Sequence, residues 1–260
     1  MTTDTLQIGD LLREWRALRR MSQLQLALEA DVSQRHLSFI ESGRSAPSRD
    51  MVLKLAERLD MPLRQRNRLL LTAGFSPEYG ERDLGDPSLS GAMATVELIL
   101  KGHEPNPALA VDRHWNLISG NGAVSPFLEM IADKALLAAP ANVLRMSLHP
   151  RGLAPFIVNL AEWRSHLIER LRRQNDSIAD PVLSALEDEL LTYPGGPLRH
   201  NLRGDEIAVP MRLRAGGTVL SFISTTTVFG TPLDVTLSEL AIETFFAADE
   251  ETRAFLAAGR

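Results

Sequence analysis

The sequence predicts two domains of different class: an all-α N-terminal domain of five helices, then an α+β C-terminal domain with an antiparallel sheet. Three observations lead there. The 260 residues exceed the common size of one compact domain. Apolar residues recur at helical spacing in the first part, whereas a later run, Thr218–Phe229, is rich in β-branched residues. The expected boundaries are 1–73, a Gly- and Pro-rich linker at 74–90, and 91–260.

Charge is distributed unevenly along the chain. Residues 1–72 carry 12 Lys+Arg and 9 Asp+Glu, a net charge of +3, whereas the remainder carries 16 and 24, a net charge of −8. Nucleic acid requires a local positive face rather than a basic whole protein. The chain contains no Cys, so it forms no disulfide and no thiolate metal site. Because no run of apolar residues is long enough for a membrane span or a signal peptide, we expect a soluble, cytoplasmic protein.

The first helices follow from apolar spacing and capping signals. One apolar stripe, formed by Ile8, Leu11, Leu12, Trp15 and Leu18, predicts helix one. Ser22 and Gln25 have the spacing of a capping box and predict the start of a short second helix.

The remaining helices of this domain are predicted in the same way. Ser33 has the position of an N-cap for helix three, and Gly43 stands where a left-handed C-cap is required. Pro47 and Ser48 open a fourth helix, and a fifth is expected from Pro62 onward. Two short helices joined by a tight turn inside a five-helix bundle form the helix-turn-helix architecture.

The motifs of this segment resemble the lambda repressor/Cro-like (XRE) family. The resemblance lies in Ser22–Ala27, Val32–Ser33, Leu37–Arg44 and Pro47–Ser48. It implies a DNA-binding domain whose third helix enters the major groove. It also implies that Arg16 and Glu41 form a buried ion pair between helices one and three.

DNA contacts are expected at the N-terminal end of helix three and around it. Gln pairs with adenine and Arg with guanine, and Phe39 is placed to touch a thymine methyl. Gln23 and Arg44 resemble the phosphate-contacting positions of the family. The alternatives are that Phe39 packs in the core and that Arg44 is a solvated charge. The candidate DNA-binding residues are Gln23, Ser33, Gln34, Arg35, Ser38, Phe39 and Arg44.

The C-terminal part alternates short strands with helices. A helix at about 91–101 precedes strands at 108–112 and 115–119, and strands return at 206–214 and 218–229. Further helices are expected at about 122–137, 141–147, 155–174 and 180–192. Thr236 and Glu239 have capping-box spacing and predict the start of a last helix. This order is typical of an α+β domain.

A second resemblance covers most of residues 75–252. It is to the MmyB-like regulators, and it implies a PAS-like C-terminal sensor domain that binds a lipophilic small molecule such as a fatty acid. The motifs that carry it are Val111–Asn116, Asn142–Arg145 with His149–Pro150, Ile157–Trp163, Thr225–Asp234, Glu243–Phe246 and Ala248–Asp249.

A ligand pocket in this domain is expected to have apolar walls and one cation. Leu144, Phe156, Leu160, Trp163 and Phe222 are the candidate wall residues, although such residues also make ordinary cores. Arg145 lies within the apolar run 143–146. It is a candidate carboxylate anchor, and a structural ion pair is the equal alternative.

The sequence favours a regulator over an enzyme. It contains no G-x-S-x-G, H-E-x-x-H, phosphate-loop or G-x-G-x-x-G motif, so no catalytic residue, metal site or required cofactor is expected. The expected partners are double-stranded DNA with an imperfect palindrome, a lipophilic fatty-acid-like molecule and a second copy of the chain, with no membrane. The alternative is a C-terminal domain that only dimerises or binds a protein partner.

Overall fold

The computed structural model describes residues 7–198 and 208–258 and divides the chain into two compact units. The first runs to Arg82 and includes Thr231–Ser238; the second holds Asp83–Gly230 and the chain from Glu239 onward. The expected 74–90 linker is thus divided between the units, and 231–238 joins the first instead of the C-terminal domain.

Five helices form the N-terminal unit, as the sequence predicts. They are α1 (Ile8–Leu18), α2 (Gln23–Glu29), α3 (Gln34–Glu41), α4 (Arg49–Arg58) and α5 (Leu63–Thr72). Their apolar faces meet in one core that includes Leu12, Leu26, Leu37, Ile40 and Leu55, each with no exposed surface.

The predicted caps are present. Ser22 Oγ accepts from the backbone N–H of Gln25, and the Gln25 side chain accepts in return from the backbone N–H of Ser22. Ser33 caps α3 through the N–H of His36 at 3.1 Å. Gly43 has a φ of +72°, the left-handed conformation that ends a helix without steric cost.

The segment after α5 is held to the N-terminal unit by polar contacts. The Asn67 amide accepts from the N–H of Tyr79 at 3.0 Å and donates to its carbonyl at 2.7 Å. Arg82 pairs with the buried Asp234 at 2.9 Å, and the N–H of Val235 donates to the carbonyl of Gly80 at 2.8 Å. Because of these long-range contacts, residues 231–238 pack as part of the first unit.

The second unit contains a five-stranded antiparallel sheet in the order β2-β1-β5-β4-β3. The strands are β1 (Ala108–Val111), β2 (Leu117–Gly120), β3 (Met211–Ala215), β4 (Thr218–Val228) and β5 (Ala241–Ala247). Its helices are α6 (Ser90–Gly102), α7 (Ser125–Glu129), α8 (Val143–Leu148), α9 (Leu160–Ile178), α10 (Pro181–Thr192) and α12 (Glu250–Ala258). Sheet and helices bury one large apolar core, which confirms the α+β class.

Two local predictions for the C-terminal part are wrong. The last helix expected from Thr236 is only the short α11 (Val235–Ser238), capped by Asp234. It is followed by β5, which pairs with β1 and β4; a strand inserted between two others is stabilised by partners distant in sequence, which a local capping signal cannot reveal. The single helix expected at 122–137 is instead α7 flanked by two 3₁₀ turns.

The predicted strand 206–214 begins at 206 and 207, which lie outside the described residues; β3 itself starts at Met211. None of the described helices has the length and apolarity to cross a membrane.

Candidate functional site

The first candidate site is the N-terminal half of α3. Leu37 and Ile40 are fully buried and fix the helix on the bundle. Ser33, Gln34 and Arg35 are exposed, and Ser38 is half-buried one turn further on. The Ser33 hydroxyl also serves as the N-cap. The structure therefore places four of the predicted DNA-contacting residues along one helix end.

A buried ion pair holds α3 to α1. The Arg16 guanidinium donates to both carboxylate oxygens of Glu41, at 2.8 and 3.0 Å, and Glu41 is only 3% exposed. This hydrogen bonding raises the pKa of Arg16 above its ordinary value. Gly9 lies against the Glu41 carbonyl so closely that a Cβ there would stand 2.2 Å from its oxygen. The recognition helix is thus fixed by charge and by backbone contact.

Gln23 belongs to the same cluster. Its side-chain amide donates to Glu41 at 2.8 Å, so its position at the start of α2 is fixed from α3. An amide held in this way keeps a second N–H for an acceptor such as a phosphate oxygen.

Phe39 lies between two arginines. Its ring is half-buried and outside the core cluster, with the Arg35 guanidinium 5.4 Å and the Arg44 guanidinium 5.9 Å from the ring centroid. Both distances fall within cation–π range. The aromatic ring joins the predicted base-reading residue to the predicted phosphate-contacting residue, a role that the sequence interpretation of Phe39 did not foresee.

The second candidate site is a cavity of about 100 Å³ inside the C-terminal unit. Three of the candidate wall residues, Leu144, Trp163 and Phe222, line this cavity, together with Trp115 and Phe127. Phe127 also borders a second hollow of about 290 Å³ against α12. A largely apolar cavity with few polar groups is the usual form of a small-molecule site.

Three predicted ligand residues lie elsewhere. Phe156 and Leu160 pack against the core but are not part of the cavity wall. Arg145 is also outside the wall and pairs with Glu189, Nε to Oε1 at 2.8 Å and Nη2 to Oε2 at 2.7 Å. Of the two alternatives for Arg145, the structure shows the structural ion pair. The Arg145 guanidinium binds the carboxylate of Glu189 on α10 and does not line the cavity.

The charged groups of the cavity are two residues that the sequence interpretation missed. Arg170 on α9 donates to both oxygens of Glu243 on β5, at 2.8 and 2.5 Å. Its guanidinium also lies 4.7 Å from the ring centroid of Trp115. Glu243, in the mainly apolar run 241–247, was the available signal, but this segment was expected to belong to the last helix rather than to a strand.

One histidine borders the cavity from outside. His166 stacks on Trp163 with ring centroids 5.3 Å apart. Burial, assisted by the neighbouring Arg170 cation, lowers the pKa of His166, so the imidazole is neutral near neutral pH. Among the described residues, no group of three or more His, Asp and Glu side chains is arranged to hold a metal ion.

A helix-turn-helix unit with an exposed recognition helix, joined to a unit built around an apolar cavity, defines a DNA-binding transcription regulator with a ligand-binding domain. Residues 92–258, more than half of the chain, match the family model described as MmyB-like transcription regulator ligand binding domain. Residues 12–65 match the model described as Helix-turn-helix. The chain belongs to the MmyB-like transcription regulators. A search of curated proteins found no match.

Proposed function

We propose that this protein binds a specific operator and that a lipophilic molecule in the C-terminal cavity, fatty-acid-like in its alkyl chain, controls its affinity for that operator. The observation that carries the proposal is the apolar cavity lined by Leu144, Trp163 and Phe222 within the ligand-binding domain. Burial of an alkyl chain against such walls supplies about 0.8 kcal/mol per methylene.

Control of DNA binding requires different ligand affinities in two states. A ligand shifts an equilibrium only by its differential affinity for the DNA-competent and DNA-incompetent forms. A tenfold change in operator affinity corresponds to about 1.4 kcal/mol, so two methylenes buried in one state alone are sufficient. A long alkyl chain therefore carries more than enough binding free energy.

The proposed DNA-binding form is a homodimer on an imperfect palindrome. One recognition helix reads only a few base pairs, and two-fold protein symmetry imposes two-fold symmetry on the operator. Exposed apolar side chains on the sheet support a self-association surface, since Ile223 and Phe246 are paired in register and each is 39% exposed. Light scattering and footprinting test this form; a monomer bound to one unrepeated half-site contradicts it.

The test of ligand control is operator affinity of delipidated protein titrated with fatty acids and related alkyl compounds of increasing chain length. We expect operator affinity to change with chain length. A matched pair of variants on β4 locates the effect: Ser224→Leu adds bulk at the cavity wall, whereas Thr227→Leu adds it at an exposed position. The first should abolish the response and the second should preserve it. Operator affinity that no chain length changes contradicts the proposal.

A C-terminal domain that only dimerises or binds a protein remains the competing function, supported by the same exposed sheet residues. Native mass spectrometry before and after organic extraction separates the two. A small molecule released from the purified protein supports ligand control, and equal masses support the competing function.

A further inference from the structure

The charged wall of the cavity is already electrically balanced. Glu243 is 2% exposed and accepts three hydrogen bonds: two from Arg170 and one from Thr226 Oγ1 at 3.0 Å. Arg170 also donates to the Thr226 hydroxyl. Bidentate Arg–carboxylate pairs are among the strongest polar contacts in proteins, so this pair is a fixed part of the wall.

The other polar groups of the wall are neutral. Within the described part of the chain, Arg170 is the single cation and Glu243 the single anion that line the cavity, alongside the hydroxyls of Ser147 and Ser224. Ser147 Oγ accepts from the Trp163 indole N–H at 3.0 Å, which leaves its O–H as a donor. Behind Trp163, His166 contributes no positive charge near neutral pH because burial lowers its pKa.

An anionic head group would therefore meet no uncompensated cation. A carboxylate placed beside Arg170 would also stand close to Glu243, and the site would hold two anions against one cation. Like charges in a low-dielectric site repel strongly, and desolvation of the carboxylate adds to the cost. A hydroxyl or amide needs no counter-ion, because hydrogen bonds to serine or to the intact pair satisfy it.

We infer that the cavity takes an alkyl ligand with a neutral hydrogen-bonding head group, such as an alcohol or an amide, and discriminates against the carboxylate anion of the same chain length. This inference rests on the proposed function in one respect, which is that both place the ligand in the same cavity. The group that recognises the ligand head is then the ion pair of Arg170 and Glu243 rather than an unpaired arginine.

The test compares octanol, octanamide and octanoate on delipidated protein near neutral pH, with binding followed by calorimetry. We expect the alcohol and the amide to bind the wild-type protein at least about tenfold more tightly than the anion, a difference of about 1.4 kcal/mol. Octanoate binding as tightly as octanol overturns the inference, and so does a failure of all three to bind.

Two matched variants identify the residue responsible. Glu243→Gln keeps the shape and removes the charge, so Arg170 becomes available and octanoate should gain at least about tenfold relative to octanol. Glu189→Gln makes the same change at the Arg145 pair outside the cavity and should leave the ratio unchanged. A gain in Glu189→Gln alone would place the head group at Arg145 and overturn the inference. If Glu243→Gln does not fold, as judged by its thermal melt, the wild-type comparison still decides.

Operator binding measured in parallel separates this inference from the proposed function. Selective octanol binding that leaves operator affinity unchanged contradicts ligand control but supports the neutral-head selectivity. Operator affinity that responds best to octanoate supports ligand control and overturns the selectivity.

Discussion

The guanidinium of Arg35 lies over the ring of Phe39, 5.4 Å from its centroid, on the exposed side of the recognition helix. Arg44, just past the helix, approaches the same ring at 5.9 Å. Stacking restricts a long flexible side chain, so each arginine has already lost part of its conformational entropy before DNA is bound. The ring thereby orders two cations that we expect to have different tasks on DNA.

Arg35 and Arg44 should give separable binding defects. Arg35→Ala should relax specificity at one base position, at a cost of about 1–3 kcal/mol there. Arg44→Ala should weaken binding to every sequence alike and make the salt dependence shallower by about one unit of slope. Competition between cognate and scrambled duplexes at several salt concentrations measures both. Equal losses on both duplexes for Arg35→Ala would show that it contacts only the backbone.

Phe39→Leu should slightly reduce both base specificity and affinity for DNA of any sequence. Without the aromatic ring, the guanidiniums of Arg35 and Arg44 are no longer ordered by stacking. The expected loss of operator affinity is about 0.5–1 kcal/mol, the range for exposed cation–π contacts. Phe39→Trp retains an aromatic face and serves as the control. If leucine and tryptophan lose the same affinity, stacking is not the source of the effect.

Arg16→Met should destabilise the N-terminal unit by about 3 kcal/mol, because it leaves the Glu41 carboxylate buried without its cation. Urea unfolding of the purified protein measures the loss. Arg13→Met is the matched control on the same helix, since the Arg13–Asp10 pair is exposed, with side-chain exposures of 54% and 41%. Such a pair is worth at most about 1 kcal/mol. Similar losses for the two variants would show that burial of Glu41 is not decisive.

The N-terminal unit was predictable because its signals are local. Ser22, Ser33 and Gly43 each act within a few residues of their own helix end, so their positions in the sequence define the turn and the recognition helix. The buried pair of Arg16 and Glu41 was expected from resemblance rather than from spacing. What the sequence did not indicate is the contact of Phe39 with two arginines.

The cavity was less predictable because its polar wall is assembled over long distances in sequence. Arg170 and Glu243 are 73 residues apart and meet only because β5 lies in the sheet interior. Arg145 on α8 is conspicuous in an apolar run, yet it pairs with Glu189 on α10, 44 residues further along the chain. Apolar neighbours in the sequence therefore did not show that the Arg145 side chain is part-exposed, at 39%, and paired outside the cavity.

The Arg145–Glu189 pair should stabilise the fold at neutral pH and lose this contribution in acid. Hydrogen bonds from Arg145, then from the Tyr193 hydroxyl at 2.5 Å, hold the pKa of Glu189 below its ordinary value. A carboxylate with a lowered folded-state pKa stabilises the fold above its unfolded pKa, and this stabilisation is lost as pH falls through the folded value. Glu189→Gln should therefore lose stability at neutral pH but little in acid, where both proteins converge. Thermal melts across that range measure the difference, and parallel curves contradict the pKa assignment.

Phe127→Ala should shift the ligand preference toward longer chains. The Phe127 ring borders both the inner cavity and the hollow against α12, and it packs edge-on against Phe222 with centroids 5.8 Å apart. Removal of the ring should join the two spaces, and each further methylene that becomes buried should tighten binding about fourfold, from about 0.8 kcal/mol per group. Part of the packing stability is lost as well, about 3 kcal/mol for a truncated phenylalanine.

Phe255→Ala is the matched control for this change. Phe255 borders only the outer hollow and is 40% exposed, so its truncation widens that hollow without opening the inner cavity. Affinities of neutral alkyl ligands over a series of chain lengths, measured for wild type and both variants, test the idea. Phe127→Ala should move the tightest-binding length upward while Phe255→Ala leaves it in place, because only the former removes the shared wall. The same optimum length in all three proteins would show that Phe127 does not limit the cavity.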